Sequence, residues 1–197
     1  VTVGFGLGTS GRGTWRNLSK IKKFPALNTP NITGSLDGAW AGCSSLTDFP
    51  LMNFSGITSF GTSNQGAWEG CSSLENFPQI DTSSGITFFK AWYGCSSLTS
   101  FPLIDTSNAT DISGAWNGCT SLREFPAINT SNVTTAVSSS AAYRGAWYGC
   151  SSLVSFPALD LSNVTVLGYA NGGGWTNCSS LLSFPSINFA ACTSFYK

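Results

Sequence analysis

The sequence predicts a mainly β repeat solenoid of about seven rungs, with short strands joined by short helical or 3-10 turns. Three observations carry that expectation. A unit recurs every 24 residues at its shortest, its cleanest copy spanning residues 98–121 (L-x-x-F-P-x-I-D-T-S-N-A-T-D-I-S-G-A-W-N-G-C-T-S). Copies start at Ile21, Leu46, Leu74, Leu98, Leu122, Leu153 and Leu181, and every copy holds a Phe-Pro pair, from Phe24-Pro25 to Phe184-Pro185. One unit cannot bury its own apolar positions, whereas stacked units can. Seven rungs at about 4.8 Å give a core roughly 30–35 Å long. Residues 1–13 read as a Gly-rich N-terminal segment. Residues 14–197 read as a single solenoid, with a half-unit around Trp15 and Leu18 and a truncated last unit.

Each column of the aligned units has a physical reading. The L-x-x-F-P stretch is extended but short or bent, because proline donates nothing to a ladder. Asn28, Asn53, Asp81, Asp105, Asn129, Asp160 and Asn188 share an acceptor oxygen but not a charge. That column therefore suits an Asx turn. Asn31, Gly56, Gly85, Asn108, Asn132 and Asn163 suggest a left-handed position, since Gly and Asn tolerate positive φ. The I/V-T pairs that follow (such as Ile57-Thr58 and Val133-Thr134) suggest a second short strand. Before each Cys of the W-x-x-C pairs stands Gly42, Gly70, Gly94, Gly118, Gly149 or Asn177, with Asn17 in the half-unit; this column ends a turn around A-W.

Only 9% of the residues are charged, with nine basic and nine acidic side chains. A soluble domain carries about 25%. A neutral, weakly charged surface argues against nucleic acid or an anionic membrane as partner. Five cations, Arg12, Arg16, Lys20, Lys22 and Lys23, gather near the N-terminus as a solvated end. No apolar run approaches the roughly 18 residues of a membrane span. No signal peptide is visible, and a start at Val1 suggests a processed chain or part of a longer one.

The A-W-x-G-C-S-S-L-x-x-F-P segment resembles the A-F-x-x-C-x-x-L-x-x-I segment of BspA-like leucine-rich repeats, over about residues 14–197. The D-T-S-N-V-T pattern is similar to a motif in repeats of bacterial and mycoplasma surface proteins, and such repeats look like those of phage adhesins. Here Trp replaces the usual Phe, and Phe-Pro replaces a more regular strand pattern. The resemblance implies a surface-displayed adhesion or recognition module and brings no catalytic residues with it.

The six W-x-x-C pairs raise metal, redox and disulfide readings. Seven cysteines cannot all pair within one chain. One Cys per rung, with no His anywhere, does not surround a metal ion. Disulfides between rungs would need Cβ atoms closer than rung spacing. Leu18 stands where the other units have Cys, and Cys192 stands in the Val/Ile column, so a buried apolar slot fits best. The Trp column reads as core, with a sugar platform as the alternative. Without His, a Ser or Cys nucleophile lacks its usual base, so the expectation is no enzyme, no cofactor and no metal site. Eight N-x-S/T sequons follow from repeating a Ser/Thr/Asn-rich unit.

Function is expected where the repeats differ. Insertions fall at one phase, in 59–66, 135–145 and 166–174, and insertions at one phase project from one side. The column after Trp varies as well. The candidate binding residues are Phe60, Asn64, Gln65, Tyr93, Tyr143, Arg144, Tyr148, Tyr169 and Asn171. The expected role is adhesion or recognition of a surface glycan or protein, outside the cell or on a virion. The alternative is a structural or assembly protein that forms head-to-tail filaments or an appendage tip, with self-association through an uncapped C-terminal end. A minor alternative is ice binding by an unbroken column of Thr33, Thr58, Thr87, Thr110, Thr134, Thr165 and Thr193.

Overall fold

Successive repeats lie side by side and are stitched together in both directions. In the computed structural model, which describes residues 13–27, 32–138, 145–169 and 172–195, each A-W-x-G stretch donates forward to the next repeat. The N–H groups of Trp40, Trp68 and Trp92 reach the carbonyls of Ala67, Ala91 and Ala115 at 2.8–2.9 Å. Those of Gly42, Gly70 and Gly94 reach the carbonyls of Glu69, Tyr93 and Asn117 at 2.7 Å. The L-x-x-F stretch donates backward: Thr47 to the Lys22 carbonyl, Glu75 to Thr47, Thr99 to Glu75.

This traffic explains why the expected helical or 3-10 turns do not form. A 3-10 helix needs consecutive i to i+3 bonds. Here Ala39, Ala41 and Cys43 donate to Leu36, Gly38 and Trp40 within the repeat, while Trp40 and Gly42 between them donate to the next repeat. Isolated turns result. Regular strands are equally scarce among the described residues: β1 (Thr33–Ser35) pairs in parallel with β2 (Gly56–Ser59), and β3 (Gly168–Tyr169) pairs antiparallel with β4 (Gly172–Gly173). Elsewhere single parallel bridges join the repeats, as from Lys23 to Asp48 to Asn76 beside the Phe-Pro pairs, and from Ser59 to Thr87 to Asp111 to Thr135. Proline in each copy keeps the first of these series from lengthening.

The core is two aromatic stacks. Trp15, Trp40, Trp68, Trp92, Trp116, Trp147 and Trp175 lie nearly parallel, with ring centroids 5.2–5.8 Å apart. Phe24, Phe49, Phe77, Phe101, Phe125, Phe156 and Phe184 form a second stack at 5.8–6.0 Å, edge-on to the first. The Trp column is therefore core, not a sugar platform. The indole N–H groups of Trp40, Trp68, Trp92, Trp116 and Trp147 are buried with no acceptor among the described residues. Hydrogen bonding thus does not select Trp over Phe at this position; ring area does.

Beside the Trp stack run the cysteines, buried from Cys43 to Cys150 and free. Each donates its S–H to the Trp carbonyl one repeat back: Cys71 to Trp40, Cys95 to Trp68, Cys119 to Trp92 and Cys150 to Trp116, all at 3.3 Å. Each of those carbonyls already accepts the N–H of its own repeat's Cys at 3.1 Å, so the thiol adds a second, weak donor to it from the next repeat. The Asx turns form as expected, with Asn53, Asp81, Asp105, Asn129 and Asp160 accepting the N–H two residues on at 2.9–3.0 Å. So does the left-handed column before Cys, from Asn17 at φ 62° to Asn177 at φ 66°. Asn28 and Asn31 lie outside the described residues.

Three expectations are corrected. The second Gly/Asn column is not left-handed, for none of its described members has positive φ. Its asparagines tie repeats together instead: the side-chain amides of Asn108, Asn132 and Asn163 donate to the carbonyls of Ser83, Ser107 and Ser131 at 2.6–2.7 Å. Its glycines avoid clashes; a Cβ on Gly85 would sit 2.5 Å from the Phe88 ring. The Thr column is not unbroken. The N–H of Ile86 bonds to the Thr58 carbonyl and that of Thr110 to the Ile86 carbonyl, so Ile86, 47% exposed, stands in the row. Thr87 shifts to the neighbouring row with Ser59 and Asp111, and Gly34 takes the place before Thr58, whose hydroxyl donates to its carbonyl. Lastly, Phe60 is fully buried. It occupies the apolar anchor position held by Leu36, Phe88 and Ile112, stacked on Phe88 at 4.8 Å, and does not face a partner.

Candidate functional site

The variable segments all open from one hydrogen bond. In repeats without an insertion, the residue before Trp donates its N–H to a carbonyl three residues back: Ala39 to Leu36, Ala91 to Phe88, Ala115 to Ile112, at 2.9–3.0 Å. The inserted repeats keep that bond and place the extra residues inside it. Ala67 donates to Phe60, Ala146 to Ala136 and Gly174 to Leu167, at 2.8–3.0 Å. Antiparallel pairs lie just within: Gly61 with Gly66, Val137 with Gly145, and β3 with β4. The insertions therefore leave from the same side of the stack, as their shared phase predicts.

At two of the insertions the side chain following Trp caps the returning strand. Glu69 Oε2 accepts the Gly66 N–H at 3.0 Å, and Thr176 Oγ1 accepts the Gly173 N–H at 2.8 Å. The two acceptors occupy the same position in their repeats. A hairpin's return strand has a spare donor there, and a polar side chain three residues on satisfies it.

Beneath the first hairpin lies a nearly buried ion pair. Lys90 Nζ is 2.7 Å from Glu69 Oε1, with 5% and 20% of the two side chains exposed. The same ammonium lies 5.0 Å from the centre of the half-buried Tyr93 ring. Lys90 has φ 54° in a column where Gly38 and Gly114 have φ 64° and 63°. A non-glycine residue held left-handed is strained and persists only where its surroundings enforce it. At the third hairpin, the Asn177 side-chain amide donates to the Tyr148 hydroxyl at 2.9 Å, and a Cβ on Gly172 would meet the Tyr148 ring at 2.9 Å.

The predicted candidates thus separate. Tyr148 and Tyr169 belong to the third hairpin and the side chain beneath it; Tyr93 belongs with Lys90 and Glu69. Between the two tyrosine rows stands Asn117, only 5% exposed. Asn64 is exposed at the first hairpin, whereas Gln65 is half-buried against Gly38. Tyr143, Arg144 and Asn171 lie outside the described residues. Sequence reasoning missed Lys90, and the signal was present: Lys stands before A-W where Gly38, Gly66, Gly114 and Gly145 stand in other repeats.

The thiols are poorly suited to chemistry. Burial pushes Cys119 up to about 12 and Cys178 up to about 11, and raises Cys43, Cys71, Cys95 and Cys150 as well. A nucleophilic or metal-binding cysteine needs the opposite shift. The described residues contain no group of three or more His, Cys, Asp or Glu side chains placed to hold a metal ion.

No family model matches the chain, and no curated protein matches it. Among solved structures, it is similar to the crystal structure of a T. pallidum leucine-rich repeat protein, TpLRR, at 19% identity and a TM-score of 0.49, over 81% of this chain and 76% of that one.

Proposed function

We propose that this chain is a leucine-rich-repeat-like solenoid of about seven rungs that serves as a non-catalytic recognition module at a cell or virion surface. It binds a surface glycan or protein through the side that carries the insertions. One observation carries this reading: the insertions share an opening hydrogen bond, so loops of different sequence leave an otherwise repetitive body from one side.

The test is binding to arrayed glycans and to host-surface proteins, comparing the native chain with a variant carrying Asn64→Ala and Tyr169→Ala. A loss of binding of tenfold or more with an unchanged melting curve supports the reading. Unchanged binding removes the hairpin side and leaves the Phe-Pro side.

A second reading is self-association. Trp175, Phe184, Phe189 and Phe195 surround an open cavity of about 430 Å³ beside Leu167 and Thr176, and exposed aromatic surface of that kind favours a protein neighbour. Sedimentation showing only monomer at high concentration would end it. Ice binding loses its premise with Ile86 and Gly34 standing in the Thr row.

A further inference from the structure

The geometry points to Lys90 and Glu69 as positioning residues that lock the first hairpin in one orientation, so that its exposed tip at Ser63 and Asn64 is presented ready-ordered. The use of that tip rests on the recognition reading above; the lock itself does not.

The fold does not need this ion pair. In the first repeat Ala41 stands where Glu69 stands, and Gly38 and Gly114 stand where Lys90 stands. The neighbouring repeats stack with the same backbone bonds. Taking two charges out of water is unfavourable unless further hydrogen bonds satisfy them. A left-handed φ on a lysine adds strain. Two unfavourable features at one place require a local return, and what distinguishes the site from the first repeat is the hairpin above it.

The connections run to that hairpin. One Glu69 oxygen accepts the Gly66 N–H on its returning strand, and the other holds Lys90 Nζ. Lys90 is anchored on the far side by its own N–H, which donates to the Ser113 carbonyl of the next repeat at 3.0 Å. The hairpin also sits flush on the Lys90 backbone: a Cβ on Gly66 would clash with the Lys90 carbonyl, and one on Gly61 with that of Phe89. A carboxylate bridging hairpin and ammonium fixes the angle between them, as a neutral acceptor such as Thr176 at the third hairpin does not.

The test needs no ligand. Amide hydrogen exchange is measured on the full chain for Lys90→Gly and Glu69→Ala, two residues that the corresponding positions of other repeats already carry. Lys90→Gly relieves the strained φ but leaves the mostly buried Glu69 carboxylate without its cation, so exchange is read relative to Gly174 and not from the melting midpoint. The amides of Thr62 and Gly66 should exchange at least tenfold faster, while Gly174, closing the third hairpin, is unchanged. Glu69→Ala should give the same pattern, larger at Gly66. Unchanged exchange at Thr62 and Gly66 overturns the lock. A uniform acceleration that includes Gly174 overturns it too, since the pair would then be an ordinary stabilising contact. Failure of the recognition reading would appear as absent target binding with this exchange pattern intact.

Discussion

Trp116 and Asn117 are neighbours in sequence and belong to rows of opposite character. The Trp row holds the same residue in all seven positions. The next row holds Arg16, Ala41, Glu69, Tyr93, Asn117, Tyr148 and Thr176. Both are stitched across repeats by equivalent backbone bonds, Trp92 N–H to the Ala115 carbonyl and Gly94 N–H to the Asn117 carbonyl. The backbone is therefore indifferent to what stands in either row. The Trp row is uniform because each ring is the packing surface of the next, and a change at one position disturbs two neighbours. The following row ranges from buried Ala41 and Asn117 to exposed Thr176 and answers to local needs, a hairpin cap at Glu69 and Thr176, a partner at Tyr148.

The largest effect should come from breaking the Trp stack in its middle. Trp116→Ala removes a fully buried ring packed between Trp92 and Trp147 and should lose about 3–5 kcal/mol in denaturant unfolding. Trp116→Phe should lose far less, because the buried indole N–H has no acceptor among the described residues to forfeit. The exposed Asn64→Ala should stay within about 0.5 kcal/mol. Similar losses for Trp116→Ala and Asn64→Ala would erase the distinction between the rows.

The thiol row gives the next effect, and its sign is set by burial. Folding raises the cysteine values from 9.0, to about 12 at Cys119 and about 11 at Cys178. The unfolded chain thus ionises first on the alkaline side. The stability contributed by protonated, buried thiols is complete below pH 9 and is lost as pH rises from there toward the folded values. At about pH 10.5 the Cys119 thiol should have lost roughly 2 kcal/mol, at about 1.4 kcal/mol per pH unit. Unfolding measured from pH 8 to 11 should fall steeply, and less steeply in Cys119→Ala. A flat profile would mean that the thiols are solvated.

The rows that repeat without change were legible in the sequence wherever their cause is local. The Asx turns and the left-handed Gly or Asn before Cys are set within three residues, so a column of Asn and Asp, or of Gly and Asn, reports them directly. Columns whose cause lies in the neighbouring repeat were misread. Gly85 and Asn108 look alike as turn formers, yet one yields to the Phe88 ring and the other reaches 25 residues back to Ser83. The Thr row failed for a related reason: alignment by I/V-T pairs put Thr87 beside Thr58, whereas hydrogen bonding puts Ile86 there. In the candidate site, the side from which insertions leave was legible from their phase. The pairing of Lys90 with Glu69 was not, because it joins a lone Lys in a Gly column to a variable column in a different repeat.

Asn132 sharpens that last contrast, since its two explanations predict opposite results for one substitution. If the column existed for its backbone, Asn132→Gly would be neutral or stabilising, because glycine accepts a left-handed φ without strain. The structure gives Asn132 no positive φ and an amide that donates to the Ser107 carbonyl at 2.7 Å, while Asn163 in turn donates to Ser131. Asn132→Gly should therefore lose about 1 kcal/mol for the missing bond and a further few tenths for the freer unfolded chain. Asn132→Ala should lose the bond alone and come out slightly the milder of the two. The order Ala milder than Gly, read from paired urea midpoints, assigns this row to contacts between repeats; the reverse order returns it to the turn.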